Sequence, residues 1–282
     1  MITIGYPVLP TLGARYLDRY FDLDAGQNER ATQQLEALMA WHRRHELPQL
    51  ARMLRSAESE ARHRPSGAEI GRWREALMAR WEAMAARLAP AAAEFARGLR
   101  PEQLERLRAR FEESNRKLRE RYLADDPVER LAARSRRIEE RAEYFFGTLS
   151  ERQQAEILRR APQQPTREEV WFDERIARQQ RLLAVLERIV RERPAQATAT
   201  RWLKPVLVDW WRSPDPRRQA DLDRAARAAD LLTAALIRSA EPAQRERLGA
   251  TLSGWADDFE KLAAGGGGPV QALMQLTQFS GP

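Results

Sequence analysis

Apolar residues along this chain recur at intervals of three and four, the spacing that lines one side of an α-helix, and no stretch alternates in the manner of a strand. Between Ile70 and Arg97 the positions Trp73, Leu77, Trp81, Met84, Leu88 and Phe95 mark one such stripe, with polar residues around the rest of the circumference. Leu104, Leu107, Phe111, Leu118 and Tyr122 repeat the pattern, as do Val128, Leu131, Ile138, Ala142 and Phe145. Leu182, Leu186 and Ile189 predict another helix beginning near Thr166. A last pair is predicted at Leu222 to Ile237 and at Leu248, Leu252, Trp255, Phe259 and Leu262.

The boundaries carry their own chemistry. Ser66-Gly-Ala-Glu69 and Thr166-Arg-Glu-Glu169 fit a capping box, in which a hydroxyl accepts the third amide and a carboxylate reaches back to the first. Asp126-Pro127-Val128-Glu129 offers an acidic cap and a proline in the first turn, so the chain breaks between Tyr122 and Asp125. Ser213-Pro-Asp-Pro216 breaks it again, and Pro48 kinks one helix or starts its successor. Leu99-Arg-Pro-Glu-Gln103, Leu149-Ser-Glu-Arg-Gln153 and Ala240-Glu-Pro-Ala-Gln244 share one entrance, an apolar or small residue followed four positions later by glutamine. They read first as ordinary helix starts. The breaks are short, and together these elements predict an all-α, multi-helix antiparallel bundle-like single domain with kinked helices over residues 1–263. Residues 264–282 read as a glycine-rich flexible linker, Gly265 to Gly268, and a short tail in which Leu273, Leu276 and Phe279 are spaced to dock.

Composition narrows the function classes. With 43% hydrophobic and 32% charged residues the 282-residue chain is neither a disordered polymer nor a membrane-embedded protein. Leu88 to Ala96, the most apolar stretch, falls far short of the ~20 residues that cross a bilayer. The absence of cysteine excludes thiol catalysis, thiolate zinc sites and iron–sulfur ligation by this chain. No phosphate loop, nucleophile elbow or dinucleotide fingerprint occurs, so the chain reads as a non-enzyme with no cofactor. The net charge of +7 is nearly all arginine, since lysine stands only at 117, 204 and 261. Nucleic acid is the natural partner of a basic chain. However, acids at 112, 113, 120, 139 and 140 dilute the basic runs at Arg116 to Arg121 and Arg134 to Arg137, which favours solvated helix faces laced with ion pairs.

Candidate binding chemistry concentrates near the amino terminus. Tyr16 and Tyr20 precede Asp22 and Asp24, and Trp41, His42 and His45 follow. His42 and His45 stand three apart, so on a helix they can face one ligand beside Glu46; that arrangement is the basis of an alternative metal-dependent or carboxylate enzyme reading, although no metal site is expected. The neighbouring acids Asp125-Asp126 and Asp257-Asp258 read as a cap and as a polar helix edge. In the adjacent aromatic pairs Trp171-Phe172 and Trp210-Trp211, both members cannot face one core, and one of each pair is left for a second interface or a groove.

The run Leu12-Gly-Ala-Arg-Tyr16-Leu-Asp18-Arg-Tyr20-Phe-Asp22-Leu-Asp24, then Ala40-Trp-His-Arg-Arg-His-Glu-Leu-Pro48, resembles the opening of a proteobacterial lipoprotein family known as domain of unknown function 6279. Tyr122-Leu-Ala-Asp-Asp-Pro127, Ser213-Pro-Asp-Pro216 and Gly254-Trp-Ala-Asp-Asp258 fit the same pattern. The resemblance implies an all-helical periplasmic protein, exported by a lipoprotein signal and anchored to a membrane through an acylated cysteine. As this chain has no cysteine, it is expected to be a form trimmed after the lipidation site or a non-lipidated relative. The Leu99 to Gln103 and Leu149 to Gln153 entrances are similar to the Leu-Thr-x-x-Gln repeats of the Spy-type periplasmic chaperones, without the threonine. That similarity implies a binder of extended polypeptide. The expected role is therefore a chaperone-like or scaffold protein with a protein or peptide client, touching membrane only through a lipid anchor; nucleic-acid binding is the remaining alternative.

Overall fold

Caps and prolines start most helices in this chain. The computed structural model, which describes residues 6–163 and 167–265, arranges the described residues as eleven α-helices with no strand. In chain order they are α1 (Leu9–Phe21), α2 (Ala25–His45), α3 (Leu47–Ala61), α4 (Gly67–Arg97), α5 (Pro101–Tyr122), α6 (Pro127–Phe146), α7 (Glu151–Arg160), α8 (Arg167–Glu192), α9 (Gln196–Val208), α10 (Pro216–Ser239) and α11 (Pro242–Ala263). Ser66 caps α4 in a full capping box with Glu69, Asp126 caps α6, and Asp215 caps α10 ahead of Pro216. Pro48 falls in the first turn of α3, where its missing N–H costs nothing. Thr166 and the segment beyond Gly265 lie outside the described residues, so the cap expected at Thr166 and the expected linker and tail are not described.

Two sets of four helices repeat one arrangement. α1 packs on α2 and α5, and α2 on α4; in the second set α6 packs on α7 and α11, and α7 on α10. In each set two helix starts are joined through glutamines. Gln27 and Gln103 face each other amide to amide, each Nε2 donating to the other's Oε1 at 3.0 and 2.8 Å. Gln153 and Gln244 do the same at 3.1 and 3.0 Å. All four side-chain oxygens also accept the backbone N–H at the start of their own helix, from Asp24, Arg100, Ser150 and Glu241. The spare amide protons reach across to carbonyls: Gln27 to Gly98, Gln103 to Asp22, and Gln244 to Thr148. The helix entrances thus do more than start helices. Leu23-Asp-Ala-Gly-Gln27 is a fourth copy of the entrance that the three later segments display.

The helix of the first set that reaches the second is α4, whose 31 residues give it a length of about 46 Å at 1.5 Å per residue. Its Ile70 joins the core of Phe146, Leu149, Ile157 and Leu248, while Ala93 and Ala96 join that of Phe21, Leu104, Ile189 and Leu203. A third cluster gathers Tyr6, Leu47, Trp255 and Phe259. The most deeply buried face of α4 is not the bulky stripe expected from the sequence. Ala85, Ala89, Ala93 and Ala96 are the residues closed off, because α9 packs closely along α4 and only small side chains fit between the two axes, while Leu77 stays exposed. Val128, expected in the buried stripe of α6, is 73% exposed at the helix's first turn.

Candidate functional site

Four elements of the first helical set and its neighbours enclose a cleft of about 380 Å³. On α1 the spacing of Tyr16 and Tyr20 by one turn brings their ring centres to 4.9 Å with the planes tilted by 41°, and the Tyr16 hydroxyl donates to that of Tyr20 at 3.3 Å. Phe111 of α5 lies 6.1 Å from the Tyr20 ring. Across from them α8 contributes Trp171, Arg175, Arg178 and Leu182, spaced by four, three and four so that they fall on one stripe. The turn after α9 closes the end with Trp210 and Trp211. The Arg178 guanidinium carbon sits 5.1 Å from the Trp210 ring centre and 5.6 Å from that of Trp211, and Trp211 meets Trp81 of α4 edge to face at 6.0 Å.

The charges are unevenly matched. Arg175 is held by neutral partners, its Nε donating to Asn115 Oδ1 and its Nη2 to Ser114 Oγ, both at 3.0 Å, and among the described residues no carboxylate lies within 4 Å of it. Asn115 is oriented in turn by Gln179, which accepts from its Nδ2 at 2.7 Å. Arg178, with a side chain 12% exposed, approaches the fully buried Glu174 only at 4.0 Å. Glu174 is already engaged by Arg181 at 2.6 Å and Arg218 at 3.3 Å, so one carboxylate serves three guanidiniums. The Nε of Arg178 is buried with no hydrogen-bond partner among the described residues. Burial lowers the affinity of both cleft arginines for their proton, in Arg178 to about 10, which leaves them charged at neutral pH.

The cleft unites Tyr16, Tyr20, Trp210 and Trp211 of the sequence-derived candidates, and the other five stand elsewhere. Asp22 ends α1 in the left-handed conformation at φ 56° and has Arg106 3.6 Å from its carboxylate. Asp24 caps α2, and a hydrogen bond from Arg100 at 2.7 Å leads the contacts that hold its carboxyl below the usual range. His42 is buried with Nδ1 2.8 Å from the Tyr6 hydroxyl, and burial pulls its pKa down. His45 is exposed on the Trp41 side of α2, its ring 5.8 Å from the indole. Glu46 is bound bidentately by Arg80 at 2.8 and 2.5 Å. His42 and His45 therefore do not share a ligand with Glu46, and no group of three His, Asp or Glu gathers among the described residues. Arg134, expected on a solvated face, is buried against Glu168 and donates to the Ala161 carbonyl at 2.8 Å. Arg175, Arg178 and Phe111 were absent from the sequence-derived candidates; the stripe Trp171, Arg175, Arg178, Leu182, with cations set between apolar residues, was their signal.

The chain is thus an all-helical protein in which one cleft gathers aromatic rings and two arginines. Residues 19–205 match the model of a family of unknown function, DUF6279, and the chain belongs to that family. No curated protein and no solved structure shows significant similarity to it.

Proposed function

We propose that this protein is a non-enzymatic cell-envelope lipoprotein that binds extended segments of other polypeptides, in a chaperone-like or scaffold role. The observation that carries the reading is the convergence of Tyr16, Tyr20, Trp210 and Trp211 with Arg175 and Arg178 on one open cleft. Rigid aromatic rings supply large contact area at low entropic cost, and guanidinium groups bond carbonyls and carboxylates alike, which is the chemistry an extended chain offers. Tyr16 is 60% exposed and Trp211 39%, so both are available to a partner. The resemblance of Leu99–Gln103 and Leu149–Gln153 to Spy-type repeats supports the same reading, and in this chain Gln103 and Gln153 are paired with Gln27 and Gln244 at helix starts. Export and lipid anchoring follow from the family resemblance.

Aggregation of a chemically unfolded client, followed by light scattering, tests the binding role. Suppression at equimolar protein is expected, and a Tyr16→Ala, Trp211→Ala variant of unchanged helicity should lose most of it. No suppression by the unaltered protein at several-fold molar excess rejects the role. Incorporation of labelled fatty acid into the precursor expressed in its native host tests the anchor.

A further inference from the structure

We infer that Arg175 and Arg178 form an anion subsite within the cleft, which takes a client carboxylate set beside an aromatic side chain; this rests on the polypeptide-binding reading above. The geometry is specific. Arg175 has two donors tied down by Asn115 and Ser114, neutral groups that orient its fork without neutralising it. Arg178 sits 5.1 and 5.6 Å from the centres of two indoles, with its one carboxylate neighbour 4.0 Å away and spent on two other arginines. A buried cation without a close counter-charge is costly, and the buried Arg134 avoids that cost by gripping the buried Glu168. The two cleft arginines stand one helical turn apart on α8, so their unsatisfied charge points into the same space. A carboxylate entering there supplies the missing partner, and an adjoining aromatic ring meets Tyr20, Phe111 and Trp210. An apolar segment alone leaves both charges uncompensated, so the subsite selects acidic–aromatic stretches over purely hydrophobic ones.

Fluorescence anisotropy with labelled peptides of about ten residues tests this. One carries a single Glu-Phe pair in a Gly-Ser background, and a second carries Gln-Phe. The Glu peptide should bind the full chain roughly tenfold more tightly, as expected for a charge-assisted contact in a partly desolvated site. Arg178→Gln and Arg175→Gln should each bring the two peptides together, while Arg178→Lys, which keeps the charge but not the planar fork, should retain part of the preference. Circular dichroism at 222 nm confirms that each variant is folded. Equal binding of both peptides to the unaltered protein overturns the anion subsite and leaves polypeptide binding standing. Failure of both peptides, together with no suppression of aggregation, overturns the two together.

Discussion

Replacing Gln103 tests the principal device of this fold. Its side chain is buried and makes three kinds of contact: it accepts from the Arg100 N–H at 3.0 Å, donates to the Asp22 carbonyl at 3.1 Å and exchanges hydrogen bonds with the Gln27 amide at 2.8 and 3.0 Å. At a net worth of about 1 kcal/mol for each contact, Gln103→Ala costs roughly 3 kcal/mol, and more where the Asp22 carbonyl and Gln27 amide remain dry. For a protein of this size that lowers Tm by about 6–12 °C. Gln103→Glu sharpens the test. Glutamate is an ordinary residue at the third position of a helix and preserves the cap, but as a carboxylate it donates nothing to Asp22 or Gln27. If these glutamines are only caps, Gln103→Glu is neutral; if they tie α1–α2 to α4–α5, it destabilises about as much as alanine. Thermal melts by circular dichroism measure both, and a cycle with Gln27→Ala measures the coupling, expected at about 1–2 kcal/mol. A loss below ~1 kcal/mol for Gln103→Ala, or additivity of the two substitutions within ~0.5 kcal/mol, refutes the cross-link.

Other expectations follow from single sites. Gly147 ends α6 at φ 74°, ψ −150°, a region essentially reserved for glycine, so Gly147→Ala should cost about 1–3 kcal/mol in denaturant unfolding even though its Cβ meets nothing nearer than Arg247 at 3.4 Å. Burial holds the His42 pKa below its ordinary 6.5, with Glu46 opposing; the unfolded state therefore takes up a proton first, and stability should fall as pH drops from 6.5 through the folded value. An NMR titration of His42 with a midpoint at or above 6.5 contradicts this. Arg134→Lys loses the planar fork that reaches both oxygens of Glu168 and the Ala161 carbonyl, and should cost about 1.5–3 kcal/mol, whereas the same change at the exposed Arg159 leaves the melting curve unmoved.

Several helix starts and breaks were legible because they depend on local chemistry, although the count was not, since six stripes were marked and eleven α-helices are described. Ser66 with Glu69, Asp126 with Pro127, and the Ser213 to Pro216 break act within one turn, and each marks the boundary observed. Faces were less legible, since they depend on which helix arrives. The stripe of bulky residues on α4 was clear in the pattern, yet α9 settles against its alanines, a choice made by backbone approach that hydrophobicity does not rank. Half of the cleft was legible through its aromatic residues, as two rings in an adjacent pair cannot both be core. Its arginines were hidden among 48 basic residues, because what distinguishes Arg175 and Arg178 is the lack of a close carboxylate of their own, a property of three-dimensional surroundings.

The preference for arginine over lysine gains a physical account from these surroundings. Among the described residues two of the four buried acids are shared: Glu168 receives Arg134 and Arg137, and Glu174 receives Arg181 and Arg218 with Arg178 at the edge. Sharing one carboxylate among several cations requires donors fanned out in a plane, and guanidinium has five where ammonium has a compact three. Guanidiniums also lie against aromatic rings whether or not they are ion-paired, Arg188 against Trp202 at 3.6 Å, Arg137 against Tyr122 at 4.9 Å and Arg119 against Phe172 at 5.0 Å, a contact that a planar, weakly hydrated ion makes with less desolvation. The net positive charge is therefore built into the packing. At the α8 stripe across from Tyr16 and Tyr20, Arg175 has no carboxylate within 4 Å among the described residues and Arg178 has only Glu174 at 4.0 Å, and the proposed anion subsite rests on that geometry.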